Sequence, residues 1–91
     1  MVYVISYDLN KLEKDYEGVF QAIKDVSNGY CCHCLKSTWI IQSELRNAND
    51  VFAKIKPHLD SDDGCIIVEA TNNMQGVLEK ANSDMIKYVF S

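Results

Sequence analysis

Val2, Tyr3, Val4, Ile5 and Tyr7 crowd β-branched and aromatic side chains into one short run that ends on Asp8. Such side chains fit a pleated, half-buried surface, so Met1 to Leu9 reads as a central strand with a lone carboxylate at its end. Asn10 to Lys14 is polar and reads as a loop that leaves the sheet. From Tyr16 the period changes. Tyr16, Val19, Phe20, Ile23 and Val26 recur at helical spacing, with Glu17, Gln21, Lys24 and Asp25 between them, which predicts an amphipathic helix laid on the sheet. Ser27-Asn28-Gly29 tolerates a left-handed cap, so the chain is expected to reverse near Gly29.

The helical period is lost from Tyr30 to Leu45. Sixteen residues are too long for one ordinary strand, so two are expected, about 31–36 and 38–44, turning at Lys36-Ser37. Alternation puts Trp39, Ile41 and Ser43 on one face, toward helices or a partner subunit, and Ile40 and Gln42 on the other. Asn47 followed by Asp50 resembles an N-cap with an acidic first turn. Ala48, Val51, Phe52, Ile55 and Leu59 then mark a second amphipathic helix that ends near Pro57. Asp60-Ser61-Asp62-Asp63-Gly64 is a turn, and Cys65-Ile66-Ile67-Val68 reads as a buried strand. Beyond Thr71, Asn72-Asn73 suggests a turn and Met74 to Leu78 a short strand or irregular crossing. Asn82 or Ser83 then caps a short helix with Met85, Ile86 and Val89 as its apolar stripe. Residues 72–91 read as an accessory that covers a sheet face or a dimer edge.

Ninety-one residues form one domain, 1–91, small enough that self-association would add stability. The net charge of −4 opposes an extended phosphate-neutralising surface and so argues against non-specific DNA binding. It leaves open a short substrate held at a metal, because carboxylates that bind Mg²⁺ themselves add negative charge. No stretch approaches a membrane span, and the start lacks a basic segment followed by an apolar one; a cytoplasmic protein without membrane contact is expected. Cys31, Cys32 and Cys34 are too nearly adjacent to staple loops among themselves, so the four cysteines read as reduced thiols.

Val2-Tyr3-Val4-Ile5-Ser6-Tyr7-Asp8-Leu9, the helix after it, Ser37-Thr38-Trp39-Ile40-Ile41, and Lys56-Pro57-His58-Leu59-Asp60 before the last strand resemble short bacterial and phage proteins labelled "SinR family". More distantly the chain resembles the CRISPR-associated Cas-two and VapD-type proteins. The first likeness runs over most of the chain, and the second rests on Tyr7-Asp8 and the element order. The resemblance implies an α+β, ferredoxin-like βαββαβ sandwich, here with an extra C-terminal short strand or helix, that forms a homodimer. It also implies that Asp8 lies near the dimer axis and takes part in Mg²⁺-dependent cleavage of RNA by an endoribonuclease or nuclease-like protein. The alternative it implies is a non-catalytic dimeric binding or scaffold module for a protein or nucleotide ligand, in phage defence or counter-defence. No helix-turn-helix supports a repressor role. The acidic balance and the C-terminal helix depart from the CRISPR-associated pattern.

Each candidate residue has a chemical and a structural reading. Asp8 is the metal and catalytic candidate, since two symmetry-related carboxylates suit Mg²⁺, or it caps a loop through its own backbone. Ser6, Tyr7, Ser37 and Thr38 are candidate binding hydroxyls that could orient a phosphate if Asp8 holds a metal; otherwise they are satisfied sheet groups. Tyr3 and Ser43 offer the same choice. Cys31-Cys32-His33-Cys34 with Cys65 suggests zinc by residue type, but alternation sends Cys32 and Cys34 to the face opposite Cys31 and His33, so buried thiols are the expectation. His33 is a candidate general base or a half-exposed packing residue. His58 reads as a helix-end cation. The acidic turn lacks the spacing and closing Glu of an EF-hand and reads as a solvated loop.

Overall fold

The computed structural model describes residues 1–10 and 16–90. Most of the expected polar loop, Asn10 to Lys14, lies outside them. Seven elements follow one another: β1 (Val2–Asp8), α1 (Glu17–Val26), β2 (Cys31–Leu35), β3 (Thr38–Gln42), α2 (Ala48–Ile55), β4 (Gly64–Glu69) and α3 (Lys80–Val89). A 3-10 turn, Lys56–His58, prolongs α2 and contains Pro57. The chain is therefore α+β, with a four-stranded antiparallel sheet in the order β2-β3-β1-β4.

β1 is central, as its composition predicts: Ile5 stands opposite Trp39 on one side and Ile67 on the other. Alternation then divides the molecule into layers. Tyr3, Ile5 and Tyr7 join Trp39 and Ile41 under Val19, Ala22 and Ile23 of α1 and Val51 and Ile55 of α2. On the reverse face Cys32, Cys34 and Ile40 pack with Val89 of α3, and Val2, Val4, Leu78 and Ile86 border them. β3 is thus covered on both sides, and Trp39, Ile40 and Ile41 are all buried.

Local signals account for the element ends. The Asn47 side chain accepts from the Asp50 amide at 2.9 Å and starts α2. After α1 the chain leaves the helix at Ser27, and Gly29 adopts φ +86°, where a side chain would be strained. The β2–β3 hairpin turns at Lys36-Ser37, with β2 ending at Leu35 and β3 at Gln42, each earlier than the pattern suggests.

Two expectations change. Cys65 to Val68 is not buried on both faces, because Ile66 and Val68 are 63% and 51% exposed while Cys65 and Ile67 pack inward. A continuous apolar run does not reveal which of its faces lacks a cover. The last helix begins at Lys80 rather than after a cap at Asn82 or Ser83, and residues 71–79 before it form no strand. Asn82 serves docking instead, its amide donating to the Cys34 carbonyl at 3.4 Å.

Candidate functional site

The even residues of β1 (Val2, Val4, Ser6 and Asp8) share the face on which α3 lies. α3 covers the β2 and β3 half of that face and leaves the β4 half open. Asp8 is exposed at the end of this open half, opposite Gly64 in the register. Ser6 pairs with Thr38 across the strands, their hydroxyls 3.3 Å apart. Asp8, Ser6 and Thr38 therefore share one face at one end of the sheet. Ser37 lies in the adjoining hairpin turn, where its carbonyl accepts from the Tyr7 amide at 3.1 Å.

Tyr7 belongs to the other layer. It is 6% exposed, and its hydroxyl accepts from Trp39 Nε1 at 3.0 Å and lies 3.3 Å from His33 Nε2. His33 Nε2 is also 3.0 Å from the Lys36 carbonyl, which can only accept, so that nitrogen carries a proton. The His33 ring stacks on Trp39 with centroids 4.3 Å apart and planes at 12°, and Phe20 meets it edge-on at 5.0 Å. The hydroxyl of Tyr7 thus has protein partners, buried Trp39 and exposed His33, and does not face the side of the sheet that carries Asp8. Burial raises its pKa and outweighs the opposing effect of the Trp39 hydrogen bond, so the phenol stays neutral.

The Asp8–Gly64 pairing also brings the acidic turn to this end of the sheet. Asp60, Asp62 and Asp63 hold carboxylate oxygens within 4.8 Å of one another, the sole grouping of three metal-ligating side chains among the described residues. Asp63 holds the turn together, its two oxygens accepting from the amides of Asn10 at 2.8 Å and Asp60 at 2.7 Å. The Asn10 side chain donates to the Asp62 carbonyl at 2.7 Å. These bonds clamp the β4 entry to the β1 exit. Three carboxylates in a hydrogen-bonded turn are not by themselves evidence of a bound cation.

The cysteines do not gather into a zinc site among the described residues. All four are free thiols; Cys32 and Cys34 are buried beneath α3. Cys34 donates to the Cys32 carbonyl at 3.2 Å. Burial, followed by the hydrogen bond and charge of Cys34, pushes the Cys32 thiol up to about 12 from 9.0. Burial also raises Cys65 and Tyr3, the latter with help from the Glu69 and Asp50 charges. In each case the fold keeps a proton that the unfolded chain releases. For Cys32 the stabilising contribution is therefore complete below pH 9.0 and is lost as the pH climbs toward about 12, and Cys65 and Tyr3 act in the same direction. The urea midpoint should fall between about pH 9 and pH 10.5, and Cys32→Ala should flatten that fall. A midpoint independent of pH over this range would contradict the assignment.

The hairpin register contained a signal that residue-by-residue inspection misses. Cys31 opposes Ile41 and Cys32 opposes Ile40, so His33 follows into place beside Trp39 and the aromatic stack forms. A second feature, a groove of ≈ 450 Å³, lies between β3 and residues 74–78, with Thr38, Ile40, Met74 and Ile86 in its walls. A third, of ≈ 420 Å³, lies where α1 ends beside α2 and mixes Asp25 and Glu44 with Lys54 and His58.

No family model, curated protein or solved structure matches the chain. Among the described residues, no helix is long and apolar enough to cross a membrane.

Proposed function

We propose that this chain is a non-catalytic, homodimeric binding module on a ferredoxin-like frame, with its working surface on the half of the sheet face that α3 leaves open. The observation that carries the reading is the exposure of Ile66 and Val68 beside half-buried Val4. Large apolar side chains presented together on a sheet face are a contact surface, whereas single ones are ordinary. The frame is supported by the antiparallel order β2-β3-β1-β4 with α1 and α2 on one face, to which α3 is an addition.

A Mg²⁺-dependent, nuclease-like action on RNA is the second reading. It is favoured by the exposed Asp8 carboxylate, which shares the open face with Ser6 and Thr38. Against it stands the sparseness of the donors: among the strand residues of that face Asp8 is the one carboxylate, so a single chain offers Mg²⁺ little there.

Sedimentation and RNA cleavage separate the readings. The wild-type chain is expected to sediment as a dimer that Val68→Lys dissociates, and RNA should remain intact in Mg²⁺ with or without Asp8→Asn. A monomeric wild-type chain removes the homodimer. Cleavage lost in Asp8→Asn, with folding unchanged, makes the second reading correct.

A further inference from the structure

The sheet has two outer edges, and they differ. β2 is interrupted: its register against β3 shifts between Cys32 and Leu35, and an irregular edge resists pairing with another chain. β4 keeps an unbroken register of six pairs with β1, from Glu69 opposite Tyr3 to Gly64 opposite Asp8, and holds neither Pro nor Lys. The Ala70 amide donates to the Val2 carbonyl at 2.8 Å. In an antiparallel ladder, residues alternate between bonding to one neighbour and the other, so Ile66 and Val68 bond toward β1. Cys65, Ile67 and Glu69 consequently aim their amides and carbonyls away from the sheet. Among the described residues, no hydrogen bond reaches those outward groups.

Charge selects what can pair there. Between Leu59 and Glu79 the sequence has five carboxylates (Asp60, Asp62, Asp63, Glu69 and Glu79) and no Lys or Arg. If a second copy added its own β4 antiparallel about Ile67, Glu69 would lie opposite Cys65 of the other copy and diagonal to its Asp63, twice over by symmetry. Like charges across adjoining strands oppose pairing. A strand with Lys or Arg at its ends meets the reverse situation.

We propose that the outer edge of β4 is a docking site for an extended, basic-flanked segment of a partner protein, which adds to the sheet as a fifth strand. The segment's backbone pairs with Cys65, Ile67 and Glu69. Alternate apolar side chains extend the row of Ile66 and Val68, and its terminal cations face the acidic turn and Glu69. The proposal rests on the binding-module reading only in assigning the chain a protein partner; the edge is distinct from the face proposed for the homodimer.

The test uses the full chain labelled with ¹⁵N and a blocked peptide of alternating valine and threonine with lysine at each end. The peptide is expected to protect the amides of Cys65, Ile67 and Glu69 from hydrogen exchange. Glutamate in place of the lysines should weaken binding about tenfold at low salt. N-methylating the peptide at the residues that face β4 should abolish binding, and N-methylating the intervening residues should leave it unchanged. This last contrast alters the peptide alone, so no loss of protein folding can imitate it. Absence of binding, or binding indifferent to the N-methylation pattern, overturns the proposal. Protection of the three amides in the peptide-free chain, rising with protein concentration, also overturns it and gives the edge to a second copy. Sedimentation of the same samples reports the homodimer independently, so its failure and that of the edge are told apart.

Discussion

Trp39→Ala should lower the free energy of unfolding by about 4 kcal/mol. The indole is 3% exposed and lies between the sheet and α1, stacked on His33 and 5.6 Å from the Phe20 ring. Its removal opens a large cavity there and takes away the donor that serves the buried Tyr7 hydroxyl at 3.0 Å. A domain of this size has a total stability of roughly 5–15 kcal/mol, so the variant should be close to unfolding at room temperature. Trp39→Phe separates the two contributions: it retains most of the packing, loses the N–H, and should cost about 1–2 kcal/mol. Urea unfolding followed by far-ultraviolet circular dichroism is the suitable measurement, because the chain has a single tryptophan and fluorescence disappears with it. A loss below about 1 kcal/mol for the alanine variant would mean that the aromatic cluster is not a principal part of the core.

Much of the architecture was legible because it is periodic and local. The β1 run, the helical spacing from Val19 to Val26 and the Asn47 cap each specify an element from a few consecutive residues, and each forms. Alternation within β1 also separates Tyr7 from Ser6 and Asp8, so placing Tyr7 with them in one candidate site overlooked a period-two pattern already present. What was not legible is non-local. The pairing of Asp8 with Gly64 depends on which strand becomes the neighbour of β1, and it brings the acidic turn to a carboxylate that looks isolated along the chain. The exposure of Ile66 and Val68 depends on where α3 settles, which the four apolar letters of Cys65 to Val68 do not encode. Asn82 has the residue type of a helix cap, but its side chain bonds to β2 within the tertiary fold.

Undocking α3 should convert Cys32 from an inert thiol into a reactive one. A small cluster anchors the helix: Val89 is fully buried against Cys32, Cys34 and Ile40, with Ile86 packed at its border. Gln42 Nε2 donates to the Val89 carbonyl at 3.3 Å, and the Cys32 thiol donates to the Asn82 carbonyl at 3.8 Å. Residues 71–79, which lead into the helix, are exposed apart from Leu78 and belong to no strand or helix. Val89→Asp places a carboxylate in that cluster and should release the helix, whereas the separate core under α1 and α2 retains all its members. With burial removed, Cys32 returns from about 12 toward 9.0. Its thiolate fraction at about pH 8 then rises from roughly 10⁻⁴ to roughly 10⁻¹, and reaction with a disulfide reagent should accelerate about a thousandfold. A chain ending at residue 79 should behave in the same way. Thiol titration with peptide mapping identifies the cysteine, and circular dichroism checks that the sheet and the first two helices persist. If Cys32 stays as slow in both variants as in the wild-type chain while the fold is retained, α3 is not what shields it. If it speeds up as expected, the helix is a separable cover, and the area of sheet face available to a partner depends on whether α3 is docked.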